Sequence, residues 1–419
     1  MGLQNEKKIS SLWQTINLEK LLSKAAQTIS PGNATDAGKM WRLPTDHPNP
    51  ILLASGIPDT STLPSKELLE GFTRALNEAP SDSLSYGGWF GDEQCRKSIS
   101  KRQALIEKVV LNEDNIILHN GSSACLENIL KTFIEPDDVV IVESPSYSGT
   151  VRCIQGYLAD VIELPITDNG VNHTDFTSLV EKIKNNGKNI KMFYTIPDYH
   201  NPTGIVTNIN TRKAILKTCE EHNIIIVEDA AYTELYFDSP PPPSYFFLSQ
   251  GYGVIKMSSF SKIIATGLRV GWIQARHEYI EVLTKVRFDM GNSPLLHYAI
   301  TSFIENGGLD KHVSQMRNLY KEKCLALLNS INEFCDPYID VNPPSGGYFL
   351  WVNCKKHKAF KVLEEASKVG LIFPIGSVFY VDKNLDDSHF RLAFTQPTFK
   401  DLRETGKRLK LTFERLSIN

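Results

Sequence analysis

Between residues 115 and 274 the chain alternates short apolar runs with longer stretches whose apolar positions return every three or four residues. The runs lie at 115–118, 139–143, 161–164, 192–196, 224–228, 254–257 and 269–274. Most are continuously apolar rather than alternating, the pattern of strands covered on both faces. Helical periodicity fills 123–133, 174–185 and 211–222 between them. Strand, helix, strand in repetition predicts a doubly wound α/β sheet. Upstream, Trp13, Ile16, Leu18, Leu21, Leu22 and Ala25 predict one amphipathic helix over 12–29 that docks on its own protein, followed by a linker through Pro44, Pro48 and Pro50. Beyond residue 300 the pattern becomes a long helix at 311–334, a strand at 347–352, a helix at 358–368, a strand at 389–394 and a closing helix at 400–416. The expected organisation is an N-terminal arm to residue 50 that joins the smaller unit, a large α/β domain over 51–305, and a small α+β domain over 306–419.

Composition narrows the function classes without naming one. The 419 residues carry 45 Lys+Arg against 48 Asp+Glu, a formal net charge of −3, with 41% hydrophobic and 22% charged residues. That balance excludes wholesale disorder and supplies no electrostatic footprint for nucleic acid. No apolar run approaches the roughly 18 residues of a membrane span. The N-terminus lacks a secretory apolar region, so the cytoplasm is the default location. Seven cysteines are scattered without a Cys-x-x-Cys, which fits reduced thiols rather than a disulfide framework or a metal site.

Candidate chemistry concentrates in Ser258-Ser-Phe-Ser-Lys262 and the following Gly267-Leu-Arg269. A lysine at the end of an apolar strand is rarely buried without a partner. In an apolar pocket its ammonium loses solvation, its pKa falls, and the amine becomes available for addition to a carbonyl. Hydroxyls at Ser259 and Ser261, with a cation at Arg269, suit a bound dianion. A lysine beside a carbonyl cofactor that bears a phosphate suggests pyridoxal phosphate. Three further pieces each sit close to a strand end: the turn Asn201-Pro-Thr-Gly204, the acid Asp229 with Tyr232 behind it, and the strand-to-helix turn Gly121-Ser122-Ser123, whose free N–H groups suit phosphate. Singly these are ordinary turns and strand ends. Their order along the chain is specific.

With those residues the sequence resembles the class I/II, fold-type I pyridoxal-phosphate aminotransferases, in the 2-aminoadipate and aromatic branch. The resemblance runs from Ala54-Ser-Gly-Ile-Pro58 to Phe390-Arg391-Leu-Ala-Phe394. It implies an aspartate-aminotransferase-like fold with a mixed, mostly parallel seven-stranded sheet. By resemblance Lys262 binds the cofactor covalently and shuttles the substrate α-proton, and Asp229 pairs with the pyridine nitrogen. Asn201 and Tyr232 donate to the ring's phenolic oxygen, and Tyr147 stacks on the ring. Ser122, Ser123, Ser259, Ser261 and Arg269 cradle the phosphate. Tyr86 reaches the phosphate of a neighbouring subunit, which implies a homodimer with shared active sites. Arg391 clamps the substrate α-carboxylate, with Asn201 beside it and Gly56 in the segment that closes over it. The implied activity moves an amino group from an L-amino acid with a 2-aminoadipate, aromatic or other large side chain to a 2-oxo acid such as 2-oxoglutarate. A C–S/β-lyase on the same fold and a non-catalytic binding protein are the alternatives. His200 and Tyr199 depart from the branch where a glutamine usually precedes the asparagine, and Thr266 stands where proline is common.

Overall fold

The computed structural model describes residues 16–29 and 45–418. Its thirteen strands are β1 (Ile51–Leu52), β2 (Ile116–His119), β3 (Val139–Ser144), β4 (Asp160–Thr167), β5 (Gly170–Val171), β6 (Ile190–Thr195), β7 (Ile225–Asp229), β8 (Val254–Ser259), β9 (Gly271–Gln274), β10 (Ile339–Val341), β11 (Phe349–Cys354), β12 (Leu371–Ile372) and β13 (His389–Ala393). Eight of them form the main sheet in the order β2-β9-β8-β7-β6-β3-β4-β5. Neighbours from β8 through β4 run parallel; β9 is antiparallel to both β8 and β2.

The continuously apolar runs are explained by two separate cores. Along β3, Val139 and Ile141 face one core with Phe176, Val180 and Ile215 from the helices His173–Asn185 and Ile209–His222. Val140 and Val142 face the other, with Leu126 and Ile129 from the helix Ser122–Phe133. Side chains alternate across a strand, so a strand with helices on both faces must be apolar at every position.

Three expectations need correction. The sheet has eight strands, not seven, because Gly170–Val171 folds back antiparallel on the end of β4. Gly170 permits that turn with φ of +89°, and a Cβ there would lie 2.4 Å from Thr207 Oγ1. Nor does 16–29 form one helix, and 12–15 lies outside the described residues. A 3₁₀ turn at Leu18–Leu21 is separated from a short helix at Lys24–Thr28 by Ser23, which is extended and whose hydroxyl accepts from Ala26 N at 3.1 Å. A serine that caps a new helix breaks the preceding one. Leu18 and Leu21 stay exposed instead of docking. Finally, the strand expected from 269 begins at Gly271, since Arg269 adopts a left-handed conformation with φ of +50°.

Toward the C-terminus, β10, β11 and β13 form a three-stranded antiparallel sheet against the helices Gly308–Cys335, Ala359–Lys368 and Phe399–Ile418. β1 pairs in parallel with β12, Ile51 opposite Leu371, so the chain near residue 50 is tied to elements more than 300 positions later. From β1 the segment 54–59 runs directly past the carboxyl ends of the main sheet, where the functional side chains gather.

Candidate active site

The residues singled out in sequence come together at those carboxyl ends, as expected for an open α/β sheet. A cavity of about 340 Å³ is lined by Gly56, Ser122, Ser123, Tyr147, Asn201, Asp229, Tyr232, Ser261, Lys262, Arg269 and Arg391, with Ser55, Ile57, Ile196, Ala231, Thr266 and Phe349. Asp229 closes β7, Lys262 stands in the turn after β8, Asn201 in the turn after β6, and Arg391 comes in from β13.

Lys262 Nζ donates to the carbonyl of Gly56 at 2.7 Å. Burial, together with the cations of Arg391 and Arg269, brings its pKa down to about 8, against the opposing pull of Asp229. About a tenth of the amine is then neutral at pH 7, far more than for an ordinary lysine. Burial pushes the Asp229 carboxyl up, although Tyr194 Oη donates to its Oδ2 at 2.7 Å and Ala231 N to its Oδ1 at 3.1 Å. Asn201 links two other members of the site: its Nδ2 lies 3.4 Å from Tyr232 Oη, and its Oδ1 accepts from Arg391 Nη1 at 2.7 Å. Arg391 Nη2 donates to Ala54 O at 2.6 Å, and the guanidinium lies over the Phe349 ring at 4.1 Å.

At the other end of the cavity Gly121 turns β2 into the helix Ser122–Phe133 with φ of +80°, leaving the first N–H groups of that helix facing the cavity. A Cβ on Gly121 would stand 2.5 Å from Arg269 Nη2. Arg269 Nη1 lies 3.3 Å from Ser261 Oγ, and Nη2 donates to Asn120 O at 3.0 Å. Helix N–H groups, a hydroxyl and a guanidinium thus converge as a dianion cradle.

Two expected residues are not brought in. Ser259 is buried behind the cavity, its hydroxyl 2.8 Å from Ser261 Oγ and 3.2 Å from Val270 O, where it orients Ser261 rather than facing the cavity. Tyr86 is 81% exposed and does not line the cavity of its own chain. His200, the departure noted in sequence, is buried with Nδ1 2.9 Å from Thr203 Oγ1 and Nε2 3.3 Å from Glu143 Oε2, so it braces the turn that carries Asn201. Sequence reasoning missed Tyr194 and Phe349, because an aromatic residue inside an apolar strand reads simply as core.

The arrangement fits pyridoxal phosphate on its own terms. Asp229 is a buried carboxylate on the cavity wall whose hydrogen bonds come from neutral donors, so a protonated ring nitrogen would supply its missing cation. The cradle matches a phosphate dianion, and Lys262 stands between the two. A doubly wound sheet with this constellation defines a fold-type I pyridoxal-phosphate enzyme. Residues 48–409 match the family Aminotransferase class I and II, and the chain belongs to it. It is 28% identical over 403 residues to the aromatic-amino-acid aminotransferase 1 of Thermococcus litoralis, covering 96% of this chain and 95% of that one. To the 2-aminoadipate transaminase of Thermus thermophilus it is 27% identical over 370 residues, 87% and 90% of the two chains. The crystal structure of Pyrococcus horikoshii kynurenine aminotransferase, in complex with PMP, superposes with a TM-score of 0.88 at 27% identity, over 96% of this chain and 98% of that one. The protein is a pyridoxal-phosphate-dependent aminotransferase, and the lyase alternative is not favoured.

Proposed function

We propose that this aminotransferase takes the amino group of L-amino acids with large side chains, 2-aminoadipate and aromatic amino acids foremost, and delivers it to 2-oxoglutarate or a similar 2-oxo acid. The observation that carries the assignment of roles is Lys262 Nζ, with a pKa brought down to about 8, in one cavity with Asp229 and Arg391. Bound there, pyridoxal phosphate supplies an electron sink for the electrons left at the substrate α-carbon. Lys262 takes the proton from that carbon and would deliver it to carbon C4′ of the cofactor, and the reverse when the 2-oxo acid acceptor is aminated. Asp229 holds a proton on the ring nitrogen by offering its carboxylate charge. Asn201 and Tyr232 donate to the phenolic oxygen, and Tyr147 covers one ring face. Ser122 and Ser123 N–H, Ser261 Oγ and Arg269 hold the phosphate, with Ser259 behind Ser261. Arg391 binds the substrate α-carboxylate by its paired N–H groups, beside Asn201 and Gly56.

The preference for large side chains is supported by Ile57, Ile196 and Phe349 on the cavity wall and by the activities named for the relatives. The exposed Tyr86, with Trp89 and Phe90 at 42% and 37% exposure, supports a homodimer in which Tyr86 completes the partner's phosphate site. Among the described residues no helix is long and apolar enough to cross a membrane. All seven cysteines are unpaired, as suits a reducing compartment, and on that ground we place the enzyme in the cytoplasm. The deciding experiment is a spectral titration of the cofactor-loaded protein across a panel of amino acids, followed by 2-oxoglutarate. Loss of the visible cofactor band with 2-aminoadipate or aromatic amino acids, and its return with 2-oxoglutarate, is the expected result. A band unmoved by every amino acid, or unchanged in Lys262→Ala, refutes the proposal.

A further inference from the structure

The segment 54–59 is tethered at each of three carbonyls. Ala54 O accepts from Arg391 Nη2 at 2.6 Å, Gly56 O from Lys262 Nζ at 2.7 Å, and Ile57 O from Thr395 Oγ1 at 2.7 Å. Its far end is held outside the cavity. Asp59 N donates to Tyr320 Oη at 3.1 Å, and Asp59 Oδ1 accepts from Ser61 N at 2.9 Å. Asp59 Oδ2 pairs with the ammonium of Lys323.

Lys323 lies on the helix Gly308–Cys335 and is 3% exposed. Besides Asp59 it donates to Thr395 O at 2.7 Å and Pro397 O at 2.8 Å. An ammonium has three N–H groups, and here each has its own acceptor. One buried cation therefore joins two stretches of chain, the segment that carries Gly56 and the stretch that leaves β13, the strand of Arg391. Burial works against ionisation of Asp59, yet the hydrogen bonds from Lys323 and Ser61, with the charge of Lys323, together outweigh it and hold the carboxyl below its ordinary range. A buried ion pair is a poor source of stability compared with apolar packing of the same volume, but it is strongly directional. The direction it enforces here is the spacing between the 54–59 backbone and the Arg391 guanidinium.

We propose that Lys323 and Asp59 are positioning residues for the substrate α-carboxylate, although neither lines the cavity. The pair fixes the 54–59 segment so that its backbone and Arg391 face the same carboxylate. The inference rests on the reading of Arg391 as the carboxylate clamp.

The test uses the cofactor-loaded enzyme. Lys323→Met alone strands a buried carboxylate, so the double variant Asp59→Asn/Lys323→Met, which removes both charges, carries the experiment. The expected result is a folded protein with unchanged cofactor absorption and cofactor affinity. Its KM for the amino acid, and its dissociation constant for a 2-methyl amino acid that lacks the α-hydrogen, rise about tenfold to a hundredfold with kcat little changed, as for a small misplacement of a binding group. A lowered thermal midpoint with KM and that dissociation constant unchanged would show a purely structural pair and overturn the proposal. Arg391→Lys, measured in parallel, separates the two readings. If it leaves carboxylate affinity intact, the clamp reading fails and takes this inference with it. If it weakens binding while the double variant does not, only the present inference fails.

Discussion

Arg391 Nη1 donates to Asn201 Oδ1 at 2.7 Å across 190 residues of sequence. That single hydrogen bond joins the residue assigned to the substrate carboxylate to the residue assigned to the phenolic oxygen of the cofactor. It brings a strand of the C-terminal three-stranded sheet against the turn that ends β6, so orientation at one binding group is transmitted to the other.

Replacing Asn201 by Ala should therefore damage both. Arg391 loses the acceptor at Nη1, and a buried donor deprived of its partner costs about 1–3 kcal/mol. We expect KM for amino acids to rise about tenfold to a hundredfold, together with weaker retention of the cofactor on dialysis. An unchanged KM with normal cofactor retention refutes the link.

Arg391→Lys keeps the charge and discards the paired donors. Lysine cannot reproduce a bidentate contact with a carboxylate. The expected outcome is a fall in kcat/KM of about 30-fold or more, from the loss of roughly 2 kcal/mol of charge-assisted hydrogen bonding. The visible cofactor spectrum should be retained, because the phosphate cradle at Ser122, Ser261 and Arg269 is untouched. Steady-state kinetics beside the absorption spectrum check this.

The amine of Lys262 is charged below about pH 8 and neutral above it. In the cofactor-free protein, selective reductive methylation of Lys262 should rise with pH through a midpoint near 8, well below the 10.5 of an ordinary lysine. The signs of two substitutions follow from the neighbours. Arg391→Leu removes a cation that favours the neutral amine, so the midpoint moves up. Asp229→Asn removes an anion that favours the ammonium, so it moves down. Mass spectrometry of the modified lysine across pH gives the midpoint, and a shift in the opposite direction in either variant contradicts the electrostatic account.

A shared site makes a mixing prediction. Tyr86→Ala and Lys262→Ala should each have low activity as separate proteins. A mixed dimer of the two contains one site with Lys262 from one chain and Tyr86 from the other. Unfolding and refolding the two together should restore activity to a fraction of wild type, whereas mixing two samples of the same variant should not. No recovery in assembled mixed dimers rules out the exchange of Tyr86 between subunits.

Much of the site was legible along the chain, because each of its pieces is locally encoded. A strand that ends in an acid, a Gly-Ser-Ser turn between strand and helix, and a lysine after a run of hydroxyls all declare themselves within a few residues. Asp229, Gly121 with Ser122, and Lys262 were found that way. Tyr194 was not, since its phenol is indistinguishable from core packing until Asp229 is seen 2.7 Å away. Ser259 carried the same signal as Ser261 and stands behind it, its hydroxyl 2.8 Å from Ser261 Oγ once the chain curls after β8.

The sequence by itself determined the alternation of strand and helix, the two-sided burial of β3, β6 and β8, and which residues are candidates to hold a phosphate, a ring nitrogen and a carboxylate. Local composition suffices for these, since backbone preference and burial are set over a few residues. Only the tertiary structure decided which groups meet. Lys262 reaches Gly56 over 206 positions, Lys323 joins Asp59 to the stretch after β13, and Ser23 breaks a helix that periodicity alone would continue. Such pairings depend on how separately stable elements pack, and periodicity within one element carries no record of its distant partner.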